Sequence, residues 1–354
     1  MELKVLRTVG TVTTVCAAAA LIIGAGYKVS AKDDDRRDHD DGDAYTIGLF
    51  GDMPYNALGK AQYPALLADI NRSGVVFSVY DGDLKAGGDG PCSDSLYLTA
   101  LDHFNSLRRP LIVVPGDNDW TDCWGRYGPA TLPYSDPEER LNFERMLFYS
   151  TDRSLGQRTL KVTRQDGYPE NQRWRLGPVV YLGLNVQGSN DNYPYHDTET
   201  GAGVPVRSDA EIQRQRNEEM ARKAADLQWL TEGFEFAERV HAKGVMIVWQ
   251  ADPNFNNEQH AVNPHDFDAY PAYVDALRTL TEGFDGQVAL VHGDSHYFKV
   301  DKPLNRTTGD GVLGNFTRVE TFGARNTHWV SASIDPRDPN LFTFEPRIVP
   351  ANAQ

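Results

Sequence analysis

Residues 111–119 read LIVVPGDND, a run of four apolar residues that ends in a Pro-Gly-Asp turn. Short runs rich in Val and Ile that are bounded by Gly or Pro are typical of buried β-strands. The same pattern of an apolar run followed by Gly-Asp occurs three more times. The other pairs are Gly51-Asp52, Gly82-Asp83 and Gly293-Asp294, which follow the runs 45–50, 75–80 and 288–292. Four such turns in one chain predict strands that end in acidic residues.

Segments with helical spacing of apolar residues separate these strands. The clearest helix is predicted over residues 209–239, where Leu227, Leu230 and Phe234 recur every three or four residues. Strands and helices that alternate along a chain are typical of the α/β class. After residue 311 the pattern changes and predicts antiparallel strands at 316–321, 329–334 and 341–344. We expect one domain over residues 45–350, because no linker divides this part of the chain.

The composition is that of a globular protein: the chain has 354 residues, of which 40% are hydrophobic, and a formal net charge of −15. No basic tract occurs, so we expect no binding to a nucleic-acid backbone. The three cysteines are too few for a zinc ribbon or an iron–sulfur cluster.

The first 31 residues have the pattern of a secretory signal peptide. Lys4 and Arg7 precede an uncharged apolar stretch, and residues 29–31 read VSA, which fits a small-residue cleavage site. We therefore expect export to the periplasm or the extracellular space, and no stable membrane insertion once the signal is cleaved. An uncleaved anchor is the alternative, because the apolar stretch nearly reaches the ~20 residues that span a bilayer.

An acidic stretch follows the signal. Residues 32–44 contain seven aspartates and offer no apolar face to a core, so we predict a disordered linker there. A calcium-binding loop is the alternative, although the stretch lacks the closing Glu of an EF-hand.

The cysteines indicate a disulfide bond. Cys16 would leave with the signal, and Cys92 and Cys123 would remain in an exported chain. An even number of cysteines in an oxidising compartment favours a bridge between them. Two separate free thiols are the alternative.

Polar side chains follow five of the predicted strands. Because ligands in α/β sheets bind outside the carboxyl ends of the strands, we expect these side chains to surround one pocket. Carboxylate and amide oxygens with one imidazole suit Mg, Mn, Ca or Zn. The polar residues at these strand ends include Asp52, Asp83, Asp117, Gln250, Asp294 and His296.

With these motifs the sequence resembles the calcineurin-like metallophosphoesterases. The most telling segments are VVPGDND at 113–119 and VHGDSH at 291–296, which are similar to the family's Gly-Asn-His-Asp/Glu and Gly-His-x-His motifs. The resemblance implies a four-layer α/β/β/α sandwich over residues 45–350. It also implies two bridged divalent metal ions (Mg, Mn, Ca, Zn or Fe) as cofactors and a small-molecule phosphoester as substrate.

The resemblance assigns the metal ligands position by position. Asp52 matches the family's first Asp, and Asp83 matches the Asp that bridges both metals. His296 matches the last His. Four other positions depart from the pattern. Pro54 stands where the family has its first His, and Asp117 stands where it has an Asn ligand. Gln250 stands at the family's lone His, and Asp294 stands at the first His of the last motif. The resemblance then implies one metal at Asp52, Asp83 and His296, and the other at Asp83, Asp117, Gln250 and Asp294.

We predict three catalytic residues beside these ligands. Asn118 replaces the family's His that helps to protonate the leaving group; it would orient a phosphoryl oxygen but cannot donate a proton as an imidazolium does. Lys85 would supply positive charge, or it faces solvent on a Gly-rich loop. Asp119 would orient Asn118 or Lys85, or it caps the next segment.

Charge decides how such a site attracts phosphate. The family's usual two aspartates leave two divalent ions with a surplus of +2, whereas four aspartates cancel those ions. The sequence therefore predicts an exported metal-dependent phosphoesterase that hydrolyses a phosphomonoester or phosphodiester with a metal-bound hydroxide and favours good leaving groups. The alternative is a non-catalytic metal- or ligand-binding protein on the same scaffold.

Overall fold

The computed structural model describes residues 42–87, 91–123, 136–194, 208–255, 268–309 and 311–353. The predicted signal peptide at 1–31 and most of the predicted linker at 32–44 lie outside the described residues.

The described residues form two β-sheets. Their strands are β1 (Tyr45–Phe50), β2 (Ser78–Tyr80), β3 (Leu111–Val113), β4 (Thr163–Gln165), β5 (Tyr168–Leu176), β6 (Val179–Gly183), β7 (Gly244–Val248), β8 (Gln287–His292), β9 (Lys299–Asp301), β10 (Phe316–Glu320), β11 (Trp329–Ile334) and β12 (Phe342–Arg347). One sheet has the strand order β12-β11-β1-β2-β3, and the other has the order β4-β5-β6-β7-β8-β10-β9. β1, β2 and β3 are mutually parallel, as are β6, β7, β8 and β10.

Helices connect these strands, and several of them begin at a residue whose side chain caps the helix. Asn56, Asp136 and Ser208 each accept a hydrogen bond from a backbone N–H of the first turn. The helices are α1 (Ala57–Arg72), α2 (Asp94–Asn105), α3 (Pro137–Phe148), the single turn α4 (Gly188–Asp191), α5 (Asp209–Arg239) and α6 (Pro271–Gly283). None of the helices in the described ranges combines the length and the apolar character needed to cross a membrane.

Three hydrophobic clusters show how the layers stack. The first lies between the two sheets and includes Ile47 and Met246. The second packs α1, α2 and α3 on the outer face of the five-stranded sheet, and the third packs α5 and α6 on the outer face of the seven-stranded sheet. Along β7, Met246 faces the other sheet while Val245 and Ile247 face the helices, as the alternation of a strand requires. The predicted four-layer α/β/β/α sandwich is thus confirmed.

The predicted bounds of β1, β11 and α5 agree with the structure to the residue. The antiparallel prediction after residue 311 is right for β11 and β12 but wrong for one pairing, because β10 pairs parallel with β8 and antiparallel only with β9. The sequence interpretation also missed β5. Its buried positions include Glu170, Asn171 and Gln172, so a strand with a polar buried face carried no apolar alternation to detect.

Candidate metal centre

The strand-end side chains come together where the two sheets face each other. Asp52, Asp83 and Asp117 follow β1, β2 and β3 of the five-stranded sheet. Gln250 and Asp294 follow β7 and β8 of the seven-stranded sheet. The pocket is therefore built from the carboxyl ends of strands in two sheets, and Asp294 N–H reaches across to donate to Asp52 Oδ2 at 3.1 Å.

Asp52, Asp83 and His296 form a three-residue ligand group. One ligand atom from each lies within 4.8 Å of the others, and no other such group of three His, Cys, Asp or Glu occurs in the described ranges. Both aspartates are buried, while the side chain of His296 is 28% exposed. Two carboxylates and an imidazole at this spacing, open to solvent on one side, fit a divalent cation such as Zn²⁺ or Mn²⁺.

The backbone at these ligands is unusual. Asp52, Asp83, Asp294 and His296 all have positive φ, between 51° and 73°. A left-handed conformation is uncommon for residues other than Gly, and Asp, Asn and His are the types that adopt it most readily. The residue types at these four positions therefore suit their backbone conformation.

The glycines of the Gly-Asp pairs leave room for neighbouring ligands. A Cβ on Gly116 would lie 2.1 Å from Asp83 Oδ1, and a Cβ on Gly293 would lie 2.0 Å from Asp52 Oδ2. Gly116 therefore makes space for the aspartate that follows the neighbouring strand β2, and Gly293 makes space for the aspartate that follows β1 of the other sheet. This close approach explains the glycine in these two Gly-Asp pairs.

Tyr55 is a site residue that sequence reasoning missed. Its hydroxyl lies 2.5 Å from Asp83 Oδ2 and 3.2 Å from Asp52 Oδ1, and its ring packs edge-on against the His296 imidazole. Burial, followed by the charges of Asp83 and Asp52, raises the pKa of Tyr55 well above its usual value. Tyr55 is thus a neutral phenol that donates to the ligand carboxylates. Its position three residues after Asp52 was the only sequence signal.

Asn118 and Asp119 both form hydrogen bonds with Asp83, in different ways. Asn118 donates to Asp83 twice, from Nδ2 to Oδ2 at 2.5 Å and from its backbone N–H to Oδ1 at 3.0 Å. The Asp119 carboxylate accepts the backbone N–H groups of Asp83, Leu84 and Gly116. Burial raises the pKa of Asp119 to about 6, although these N–H groups lower it. Asp119 therefore fixes the turn that carries Asp83. Asn118 instead borders an open cleft, which is also lined by Tyr55, Asp83, Asp294, His296 and residues 324–326.

Lys85 lies inside the acidic region, where burial lowers its pKa. Its ammonium donates to the Ala86 carbonyl at 3.1 Å and is attracted by the charges of Asp122 and Asp119. Since the side chain is only 4% exposed, the solvent-facing alternative for Lys85 is wrong.

Asp117, Gln250 and Asp294 meet around Gly188. A Cβ on Gly188 would lie 2.8 Å from Asp294 Oδ1 and 2.9 Å from Asp117 Oδ2. The Gln250 Oε1 atom accepts the Gly188 N–H at 2.5 Å, and the Ser189 hydroxyl lies 2.7 Å from Asp117 Oδ2. The predicted ligands of the second metal thus converge, but they are already hydrogen-bonded to the protein. The second metal stays a prediction.

The pocket concentrates negative charge. Burial and then the charge of Asp117 raise the pKa of Asp83, and burial and then Asp122 raise that of Asp117. Burial and the charge of Asp52 raise the pKa of Asp294 to about 7. Burial lowers the pKa of His296, but its hydrogen bond to Asp52 and the charge of Asp52 raise it by more, so it lies above its usual value. A bound cation is the simplest relief of this repulsion.

The predicted disulfide bond between Cys92 and Cys123 is present, with a Cα–Cα distance of 5.6 Å. Cys123 ends the short turn Thr121–Cys123, which follows directly on the Asp117–Asp119 turn. The bridge therefore ties the loop after β2 to the segment that carries Asn118.

No protein-family profile and no curated protein matches the sequence. Among solved structures, PhoD is similar with a TM-score of 0.51 and 11% identity, over 86% of this chain and 68% of PhoD. GAP50, described as the anchor in the inner membrane complex of Plasmodium, gives a TM-score of 0.42 and 10% identity, over 86% of this chain and 89% of GAP50. A 5'-nucleotidase from Candida albicans gives 0.39 and 11%, over 85% and 50% of the two chains. The likeness to PhoD shows that this chain has the metallophosphoesterase-type fold.

Proposed function

We propose that this chain is a divalent-metal-dependent phosphoesterase that hydrolyses a small phosphomonoester or phosphodiester. The observation that carries the proposal is the Asp52, Asp83 and His296 group, of which Asp83 and His296 line an open cleft of about 690 Å³. The fold shared with PhoD supports the proposal. The position of the ligand group, where strands of both sheets end, supports it as well.

The residues suit a metal that acts on phosphate. Asp52, Asp83 and His296 would hold a divalent cation, and Asp117, Asp294 and Gln250 would hold a second one. When bound, such ions supply a Lewis acid for the phosphoryl oxygens and lower the pKa of water. Within the chain, Tyr55 and Asn118 hold Asp83 in place through its Oδ2 atom.

The chain's own groups define which esters it would cleave. Asn118 borders the cleft and can donate an amide N–H to a phosphoryl oxygen, but it has no proton to give to a leaving group. The phenol of Tyr55 is directed at Asp83 and Asp52. We therefore expect fast turnover only with esters whose leaving group departs as an anion.

We also propose that the mature protein works outside the cytoplasm. The Cys92–Cys123 bridge supports this location, since disulfide bonds persist in oxidising compartments. N-terminal sequencing of protein secreted from an expressing cell should begin near Lys32 if the signal is cleaved. A chain that retains Met1 in the membrane fraction would contradict export.

Metal reconstitution tests the catalytic proposal. Protein stripped with a chelator and then loaded with Mn²⁺, Zn²⁺, Fe²⁺, Mg²⁺ or Ca²⁺ is assayed on p-nitrophenyl phosphate and bis(p-nitrophenyl) phosphate. We expect at least one metal to restore hydrolysis, and Asp83→Asn to abolish it. Asp102→Asn, which removes an exposed carboxylate on α2, should leave hydrolysis unchanged. Failure to bind any divalent ion would overturn the proposal.

A non-catalytic metal-binding protein is the second candidate. It is favoured by Gln250, whose amide oxygen already accepts the Gly188 N–H, and by Asn118, which stands where a proton donor is needed. Tight metal binding without hydrolysis of either ester would establish this candidate instead.

A further inference from the structure

The loop that follows β10 lies directly on the candidate metal centre. A Cβ on Gly323 would lie 2.4 Å from His296 Cδ2 and 2.8 Å from Asp52 Cβ, so the loop backbone is in contact with two of the ligand residues. The loop turns immediately afterwards, where Asn326 N–H donates to the Gly323 carbonyl at 2.9 Å. Residues 324–326 are thereby held at the border of the same cleft as His296.

Arg325 stands at the tip of this turn in the left-handed conformation, with φ of 82°. Its side chain is exposed and borders the cleft. Within the described ranges its guanidinium makes no hydrogen bond and no ion pair, although the chain carries a net charge of −15. An arginine that borders the same cleft as Asp83 and Asp294, and pairs with no carboxylate of the described ranges, remains available for an anion that enters the cleft.

Arg325 is also distinct in charge from its surroundings. Among the described residues that border the cleft, it is the one lysine or arginine. Lys85 does not share this role, because its ammonium is buried and donates to the Ala86 carbonyl. Within the part of the chain that the structure describes, a phosphate that approaches Asp83 and Asp294 therefore meets one permanent cation at the border of the cleft, Arg325.

We infer that Arg325 binds the non-bridging oxygens of the substrate's phosphoryl group; this inference rests on the proposed function. The planar guanidinium presents paired N–H groups that match two oxygens on one phosphorus atom. It also offsets part of the repulsion between the aspartates and an anionic ester. Both a monoester and a diester offer two such oxygens, so the phosphoryl group is the chemistry that Arg325 recognises.

The test compares Arg325→Gln and Arg325→Lys with a matched control. Arg108→Gln is the control, since Arg108 is exposed, makes no side-chain pair within the described ranges and precedes β3 at the opposite end of the strand from the site. Calorimetry on metal-loaded protein measures inorganic phosphate binding, and a separate titration measures binding of the metal alone. Melting temperatures confirm that each variant is folded.

We expect Arg325→Gln to weaken phosphate binding about tenfold or more while metal affinity changes less than twofold. Arg325→Lys should recover part of the lost phosphate affinity, because lysine keeps the positive charge but lacks the paired N–H groups. Arg108→Gln should bind phosphate as the wild type does. In the hydrolysis assay, KM for p-nitrophenyl phosphate and for bis(p-nitrophenyl) phosphate should rise by a similar factor, with a smaller change in kcat.

The outcomes separate this inference from the proposed function. Wild-type phosphate affinity in Arg325→Gln, or no phosphate binding by the metal-loaded wild type, overturns the role of Arg325. If Asp83→Asn abolishes hydrolysis while Arg325→Gln changes nothing, the function stands and the inference fails. If phosphate binding depends on Arg325 but neither ester is hydrolysed, the inference stands and the catalytic proposal fails.

Discussion

Two acidic clusters among the described residues differ in how their charge is balanced. The paired cluster consists of Asp191, Glu218 and Asp226 with Arg222 and Lys223. Arg222 lies 2.5 Å from Asp191, 2.8 Å from Glu218 and 3.6 Å from Asp226.

The strand-end cluster consists of Asp52, Asp83, Asp117 and Asp294. Within the described ranges its sole ion-pair partner is His296, 3.3 Å from Asp52.

This difference separates a structural network from a candidate cation site. A buried carboxylate needs a compensating charge, and in the paired cluster the chain supplies it from α5. In the strand-end cluster the compensating contacts are neutral donors such as Tyr55, Asn118 and Ser189, together with backbone N–H groups. Neutral donors form hydrogen bonds with the carboxylate oxygens but do not neutralise their negative charge. An added cation can therefore still balance the charge of this cluster.

The largest expected effect is the loss of the cation in the paired cluster. Arg222→Met removes the cation nearest to the buried Asp191 and Asp226 and leaves only Lys223, 3.9 Å from Asp191, in the cluster. Breaking such a buried pair costs about 3–5 kcal/mol of unfolding free energy. Urea unfolding of Arg222→Met and of the exposed control Arg108→Met measures the difference. A loss of unfolding free energy below about 1 kcal/mol would show that the paired cluster does not depend on Arg222 for its charge balance.

The next effect concerns metal affinity at the strand-end cluster. Asp83→Asn removes a carboxylate from the three-residue ligand group, and we expect metal affinity to fall about 100-fold or more, which is about 2.7 kcal/mol. A competition titration with a chromophoric chelator measures the constant, with Asp102→Asn as the control. Equal affinities for Asp83→Asn and wild type would place the metal elsewhere.

Tyr55 tests whether neutral donors stabilise the metal-free cluster. Tyr55→Phe removes a hydroxyl that donates to buried carboxylates, and hydrogen bonds to charged groups contribute about 1.5–3 kcal/mol. We expect the metal-free variant to lose stability by about that amount in urea unfolding. Saturation with metal should reduce the loss, because a cation then binds the same oxygens. A loss that is the same with and without metal would contradict this account.

The smallest expected effect is a gain in stability rather than a loss. Asp294→Asn removes one of several like charges, so the metal-free protein should gain about 1 kcal/mol at pH 8. The pKa of Asp294 in the fold, about 7, lies above the ~3.9 of an unfolded aspartate, so its repulsion is present above pH 7 and is lost as the pH falls toward 4. The gain should therefore shrink at pH 5. Thermal unfolding in a chelator at both pH values measures it, and a gain that persists at pH 5 would contradict the explanation.

Much of the site was predictable because its pattern is local. A Gly-Asp pair after an apolar run identifies a strand end from a few adjacent residues, and this placed Asp52, Asp83, Asp117 and Asp294 at strand ends. The roles of Lys85 and Asp119 were not predictable in the same way. Lys85 is buried within the acidic region and Asp119 holds a turn, and both facts depend on what packs around these side chains.

The sequence by itself determined the α/β class, the positions of the strand-end aspartates and the Cys92–Cys123 pair, since each follows from short-range patterns or from counting. The tertiary structure alone decided that Tyr55 reaches Asp83, that Asp117 and Asp294 both approach Gly188, and that Arg325 borders the cleft. These contacts join residues far apart in the chain, as Asp294 and Asp52 are across 242 positions. No local pattern encodes them, because they arise only when two separate sheets pack and bring the ends of their strands together.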